Sequence, residues 1–259
     1  RCEALGGAKN HALILPDADI DYTTDQLISA AYGSSGQRCM ALSVAVVFSD
    51  IKDEFIQDLE RKVQKLKFGL DDLHSNSFGP LVSKEHLESV KNYIDMSEGE
   101  GAKVLVDGRD FLKRKNSNNG YFLGPTIIDN VSSNMKSYQN EIFGPVLQIM
   151  EVNKLSDAIK LINNNRFGNG CCVFTRNGEQ ARTFSENVEI GMVGVNIPLP
   201  VPTSFHSFGG WKNSLFGDLN IYGPDGVRFY TQRKTITQRW PSSGSSKGVD
   251  LSMPNNLKQ

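Results

Sequence analysis

The sequence predicts an α/β fold built on a mostly parallel sheet flanked by helices, and three observations carry that prediction. Short apolar runs alternate with stretches whose apolar residues recur every three or four positions. Turn and capping residues sit at the junctions between them. The chain is 259 residues long, enough to bury a substantial core, and 39% hydrophobic and 22% charged, as in ordinary globular proteins.

The elements follow in order. Residues 11–15 (HALIL) form a short apolar run, and residues 17–21 supply turn and cap positions for a helix over 23–32. A Gly-rich loop around Cys39 leads into a strand over 44–48. Residues 51–66 put Phe55, Leu59, Val63 and Leu66 on one helical face, and 84–96 repeats the pattern with Leu87, Val90 and Ile94. Strands over 146–152, 171–174 and 192–195 then alternate with helices over 155–163 and 178–188. Two segments differ. Residues 226–240 (GVRFYTQRKTITQRW) follow a Gly-Pro-Asp-Gly turn and alternate with period two, which predicts one long strand. Residues 241–259, rich in Ser, Gly, Asn and Pro, read as a flexible tail.

With 28 basic and 29 acidic residues, the chain has no electrostatic reason to bind nucleic acid or an anionic membrane. The one basic cluster, Lys113-Arg114-Lys115, reads as a solvated loop. No apolar run nears the roughly 20 residues that span a bilayer. Four cysteines in so long a chain suit a reducing compartment. Cys171 and Cys172 are adjacent, so on a strand they point to opposite faces, and no Cys-x-x-Cys pair exists. His11, His74, His86 and His206 lack metal-ligand spacing. No metal site is expected.

Cys39 ends the segment Gly33-Ser34-Ser35-Gly36-Gln37-Arg38-Cys39, between a helix and a strand. Alone, a cysteine in such a loop reads more readily as a small buried hydrophobe than as a reactive thiol. Its flanks alter that balance. Gly36-Gln37-Arg38-Cys39-Met40-Ala41 resembles the nucleophile loop of the aldehyde dehydrogenase superfamily. Glu141-Ile142-Phe143-Gly144-Pro145-Val146, Ser207-Phe208-Gly209-Gly210-Trp211-Lys212, Gly79-Pro80-Leu81 and Gly124-Pro125-Thr126 match in the same order. More narrowly, Gly7-Ala8-Lys9-Asn10-His11, the extension through Leu42-Ser43, the run from Gly194 to Pro202, and Phe229-Tyr230-Thr231-Gln232 with Lys234-Thr235-Ile236-Thr237 resemble the CoA-acylating methylmalonate-semialdehyde dehydrogenase branch.

The resemblance implies a catalytic domain over 1–225, an oligomerisation strand over 226–240 joining a homodimer or homotetramer, and the tail over 241–259. It also implies that an N-terminal NAD-binding domain is absent from this chain, which carries no Gly-rich dinucleotide fingerprint. The chain by itself is then expected to turn over little NAD. Cys39 is implied as the nucleophile and Arg38 as the holder of a substrate carboxylate. Glu141 and Phe143 are implied at the nicotinamide and its ribose, Asn196 and Phe208 near the substrate channel, and Lys9 in a structural role. The expected reaction oxidises methylmalonate or malonate semialdehyde with NAD and coenzyme A, through a Cys39 thioester, to propionyl-CoA or acetyl-CoA with loss of carbon dioxide. Such enzymes work in the mitochondrial matrix or bacterial cytoplasm, in valine, thymine or inositol breakdown.

Hydrolytic relatives carry a Glu-Leu-Gly-Gly-Lys segment whose Glu activates water. Alignment on Gly7-Ala8-Lys9 puts Leu5 at the Glu position, and leucine cannot accept a proton. Glu3 sits about 6.6 Å upstream on the same strand face. Two alternatives stand beside the CoA reading: a hydrolytic dehydrogenase using Glu3 or a water chain, and a non-catalytic interaction fragment.

Overall fold

A computed structural model describes residues 1–67, 79–110, 120–242, 244 and 251. Strands are β1 (Ala4–Leu5), β2 (Asn10–Ile14), β3 (Leu42–Phe48), β4 (Lys103–Val106), β5 (Thr126–Asp129), β6 (Val146–Val152), β7 (Phe167–Gly168), β8 (Gly170–Phe174), β9 (Met192–Val195), β10 (Trp211–Lys212) and β11 (Leu215–Phe216). Helices are α1 (Ile20–Tyr32), α2 (Lys52–Val63), α3 (Lys84–Gly99), α4 (Lys136–Gln139), α5 (Leu155–Asn164), α6 (Gly178–Asn187) and α7 (Pro224–Tyr230).

Seven strands form one sheet in the order β4-β5-β6-β3-β2-β8-β9, parallel throughout except for β4 at the edge. The central strands are buried along both faces, because helices cover each side and leave no face for water. Alternation then sorts side chains into two cores. Leu13, Val44, Val46, Cys171 and Val173 enter one, with Leu87, Val90 and Ile94 of α3, Ala158 and Ile162 of α5 and Phe184 of α6. Ala12, Ile14, Ala45, Val47, Cys172 and Phe174 enter the other, with Leu27 and Tyr32 of α1 and Phe55, Leu59 and Val63 of α2. The adjacent cysteines therefore part to opposite faces, as their spacing predicts. Burying each large side chain is worth about 1.5–3 kcal/mol.

Capping sets the helix starts. The Asp19 carboxylate accepts from Tyr22 N at 3.1 Å, so α1 begins at Ile20, three residues before the apolar pattern suggests. Ser83 and Asn177 cap α3 and α6 in the same way. Two small antiparallel pairs, β1 with β11 and β7 with β10, bring the first residues and the segment from Ser207 to Lys212 against the start of β8.

The strand expected over 226–240 differs at its start. Gly223 at φ 66° and Pro224 at the first helical position begin a helix that runs to Tyr230, since proline there fixes φ at the helical value and lacks only an N–H no helix would use. Residues 231–240 are exposed and pair with no strand among the described residues. Residues 113–115, His74 and most of the 241–259 tail lie outside the described residues.

One side of α2 meets α1 through an ion cluster. Lys62 Nζ lies 2.8 Å from Asp21, 2.7 Å from Asp25 and 3.1 Å from Asp58. Burial alone would raise the Asp58 pKa, but the Thr24 hydroxyl, Arg61 and Lys62 outweigh it and hold it at about 2. A carboxylate depressed in the folded state contributes stability that is complete above its unfolded pKa of about 3.9 and vanishes as pH falls through about 2. Asp58→Asn should therefore lower the thermal midpoint at pH 7, and the gap from the unsubstituted chain should narrow as pH drops below 4, read by circular dichroism melts across pH.

Candidate active site

The strands β2, β3, β6 and β8 run parallel, so their N-terminal ends and the loops that precede them collect along one edge. The loop that carries Cys39 enters β3 at that edge. Ser34 (φ 53°), Ser35 (φ 56°) and Gly36 (φ 69°) are three successive left-handed residues. A side chain at Gly36 would put Cβ 2.1 Å from the Gly144 carbonyl oxygen, so the two loops touch backbone to backbone only because glycine stands there. Gln37 braces the same loop, donating to the Pro80 carbonyl at 3.2 Å and accepting from Val82 N at 2.9 Å.

Arg38 to Ala41 then closes a tight turn, Ala41 N donating to Arg38 O at 3.0 Å, with Cys39 and Met40 at its corners. Cys39 is exposed there, unlike Cys171 and Cys172. Cys39, Arg38, Glu141, Phe143, Asn10 and Gly36 line one cavity. Four of the residues singled out from the sequence are thus brought together.

Glu141 is the one carboxylate lining that cavity, and its Oε1 accepts from Ala8 N at 2.9 Å. Phe143, at φ 56°, turns an exposed ring outward, and its carbonyl lies 2.7 Å from His86 Nε2. Lys9 anchors the segment ahead of Glu141, its ammonium donating to the Ser137 and Asn140 carbonyls at 2.7 and 3.0 Å. Complete burial pulls the Lys9 pKa down to about 7, against the opposing pull of Glu141. His11 is likewise buried, at 3.0 Å from the Tyr138 hydroxyl, and its pKa falls to about 3 chiefly through burial.

The Arg38 guanidinium packs over Gly33, whose missing side chain leaves it room. Arg38 as a residue lines both the Cys39 cavity and a larger one of about 560 Å³ between α1 and α2, which Gly33 also lines. Among the described residues the ion-paired arginines are Arg61, Arg109, Arg176 and Arg228; Arg38 is not one of them. Asn196 and Phe208 lie outside the cavity. Asn196 ends β9 at the opposite edge of the sheet, and its carboxamide is spent on the Thr175 backbone at 3.0 and 2.9 Å. Phe208 is half-buried against Tyr222, with ring centroids 5.5 Å apart. Glu3 packs beside Gly217 and does not line the Cys39 cavity.

Residues 1–236 match the model of the aldehyde dehydrogenase family. This chain belongs to that family. It is 51% identical over 255 residues to a malonate-semialdehyde dehydrogenase of Pseudomonas aeruginosa, covering 98% of this chain and 51% of the relative. The fold is that of a solved methylmalonate-semialdehyde dehydrogenase from Oceanimonas doudoroffii, at TM-score 0.90 and 57% identity over 94% of this chain and 50% of that one. A Sinorhizobium meliloti protein assigned the same name and crystallised with NAD gives TM-score 0.90 at 45% identity, over 95% and 50%. The chain therefore spans about half the length of the aldehyde dehydrogenases it matches.

Sequence reasoning gave no role to several supporting residues: Asn10, although it lies in a matched motif, and Asn169, whose carboxamides bond the Cys39 carbonyl, and His86 behind Phe143. For Asn10 the available signal was a polar residue opening an otherwise apolar strand. Replacing Lys9 by Met leaves the Ser137 and Asn140 carbonyls without their donor. Lys9→Met should cost about 2–4 kcal/mol in urea unfolding, with little change in the slope of the transition.

Proposed function

We propose that this chain carries the catalytic half of an NAD-dependent, CoA-acylating semialdehyde dehydrogenase acting on malonate or methylmalonate semialdehyde. The observation that carries the reading is Cys39, exposed at the tip of a tight turn in a cavity it shares with Arg38, Glu141 and Phe143.

A thiolate suits aldehyde oxidation because it both adds to a carbonyl and leaves readily. The Cys39 sulfur adds to the aldehyde carbon, and the oxyanion that forms needs donors; the Cys39 backbone N–H is one candidate. NAD, when bound, supplies the hydride acceptor. The residues suit its nicotinamide end: Glu141 keeps one carboxylate oxygen for ribose hydroxyls while Ala8 N–H fixes the other, and Phe143 offers an exposed ring. Loss of hydride leaves a thioester on Cys39.

Release of that thioester separates water from coenzyme A. Leu5 stands where hydrolytic relatives have a Glu, Glu3 packs at Gly217, and Glu141 is already engaged. Glu141 is the carboxylate among the described residues of the cavity, and with it given to the Ala8 N–H and the ribose hydroxyls, the thiol of coenzyme A is the expected acceptor. Arg38 has a planar fork suited to a substrate carboxylate. A β-carboxy thioester loses carbon dioxide because the electron pair passes into a stabilised enolate, giving acetyl-CoA or propionyl-CoA. We further infer a domain over 1–225, subunit pairing through the exposed residues 231–240 that follow α7, and work in the bacterial cytoplasm or mitochondrial matrix in valine breakdown.

Mass spectrometry of the enzyme holding this chain tests the chemistry. With semialdehyde and NAD but no coenzyme A, an acyl adduct should accumulate on Cys39 and discharge when coenzyme A is added; free acid formed at full rate without it would sink the reading. Arg38→Gln should lower kcat/KM for malonate semialdehyde about 10- to 100-fold, the loss of a charged hydrogen-bonded pair. An uncharged aldehyde such as propanal should lose far less in the same assay.

A further inference from the structure

The Cys39 carbonyl accepts from two buried carboxamides. Asn10 Nδ2 donates to it at 2.9 Å and also to Ala41 O at 2.9 Å, while Asn10 Oδ1 accepts from Gly170 N at 3.0 Å. Asn169 Nδ2 donates to the same carbonyl at 2.9 Å and lies 3.1 Å from Met40 Sδ. Asn10 is 2% exposed and Asn169 9%. Both lone pairs of one oxygen are therefore engaged by side chains from two other segments of the sheet edge.

The bonded carbonyl belongs to the peptide between the two corner residues of the Arg38–Ala41 turn. That central peptide is the one whose flip interconverts the two common turn types, so an unrestrained turn can adopt either. Here a flip would strand two buried amide donors. It would also reverse the peptide dipole beside the Cys39 sulfur. Gly210 completes the arrangement: a Cβ there would come within 3.2 Å of Asn169 Oδ1 and 2.7 Å of the Ser214 side chain, so glycine leaves Asn169 its room.

We propose that Asn169, together with Asn10, is a positioning residue for the nucleophile, holding the Cys39–Met40 peptide in one orientation and thereby fixing how the thiol meets a carbonyl carbon. This rests on Cys39 being the acyl acceptor. Asn10 bonds three backbone groups and its loss would disturb the sheet edge broadly; Asn169 isolates the effect.

Two reagents separate positioning from thiol ionisation. Acylation by p-nitrophenyl acetate requires addition to a carbonyl: a sulfur–carbon bond forms, p-nitrophenolate leaves, and an oxyanion is passed through. Alkylation by iodoacetamide is a displacement that reports mainly the thiolate fraction. In the folded 259-residue chain, Asn169→Leu should slow the p-nitrophenolate burst at least about tenfold, as misplacement of a reacting atom does. Cys39 alkylation, followed by peptide mass spectrometry with exposed Cys2 as internal reference, should change by less than about twofold, with its pH midpoint unmoved. Asn169→Ser, too short to reach the carbonyl, should give the same split if Asn169→Leu folds poorly. Equal losses with both reagents, or unchanged acylation, would overturn the positioning role. A burst that persists in Cys39→Ala, or is missing from the unsubstituted chain, would instead overturn Cys39 as acyl acceptor.

Discussion

The carboxamide of Asn10 is the joint on which the site depends. It stands at the first position of β2 and bonds the backbone of the Cys39 loop on one side and the entry to β8 on the other. An amide can do this because it carries two donors and an acceptor in one plane, and burial makes each of those bonds costly to lose. Without it, three segments far apart in the chain would meet at the sheet edge with unpaired polar groups.

The sheet makes that joint possible. Parallel strands need crossover connections, so their starts fall on the same edge while helices cover both faces. Loops entering β3, β6 and β8 are thereby forced into contact. The bare backbone of Gly36 lets two of them touch at the Gly144 carbonyl, and Glu141, Phe143 and Cys39 line one cavity there. The two apolar cores below hold the edge rigid, so side chains at the loop tips inherit the precision of the sheet.

Much of this was legible in the residues. The strands over 146–152 and 192–195 coincide with β6 and β9, and the helical faces of Phe55, Leu59 and Val63 and of Leu87, Val90 and Ile94 are buried as their spacing requires. The C-terminal segment was read less well. Its period-two pattern suggested a strand, but Pro224 after a left-handed glycine initiates a helix, and local capping prevails where no neighbouring strand is paired. His86, without ligand spacing, reads as incidental until its ring is seen against the Phe143 carbonyl.

The sequence by itself determined the α/β alternation, the opposite orientations of Cys171 and Cys172, and the set of motifs. These are properties of local periodicity or of single positions, and neither needs coordinates. Only the tertiary structure decided that Cys39 is exposed, that Asn196 lies at the far edge, and that two asparagines converge on one carbonyl. Asn10 and Asn169 stand 29 and 130 residues from Cys39, and a carboxamide in a turn-rich segment carries no sign of its partner until the chain is folded.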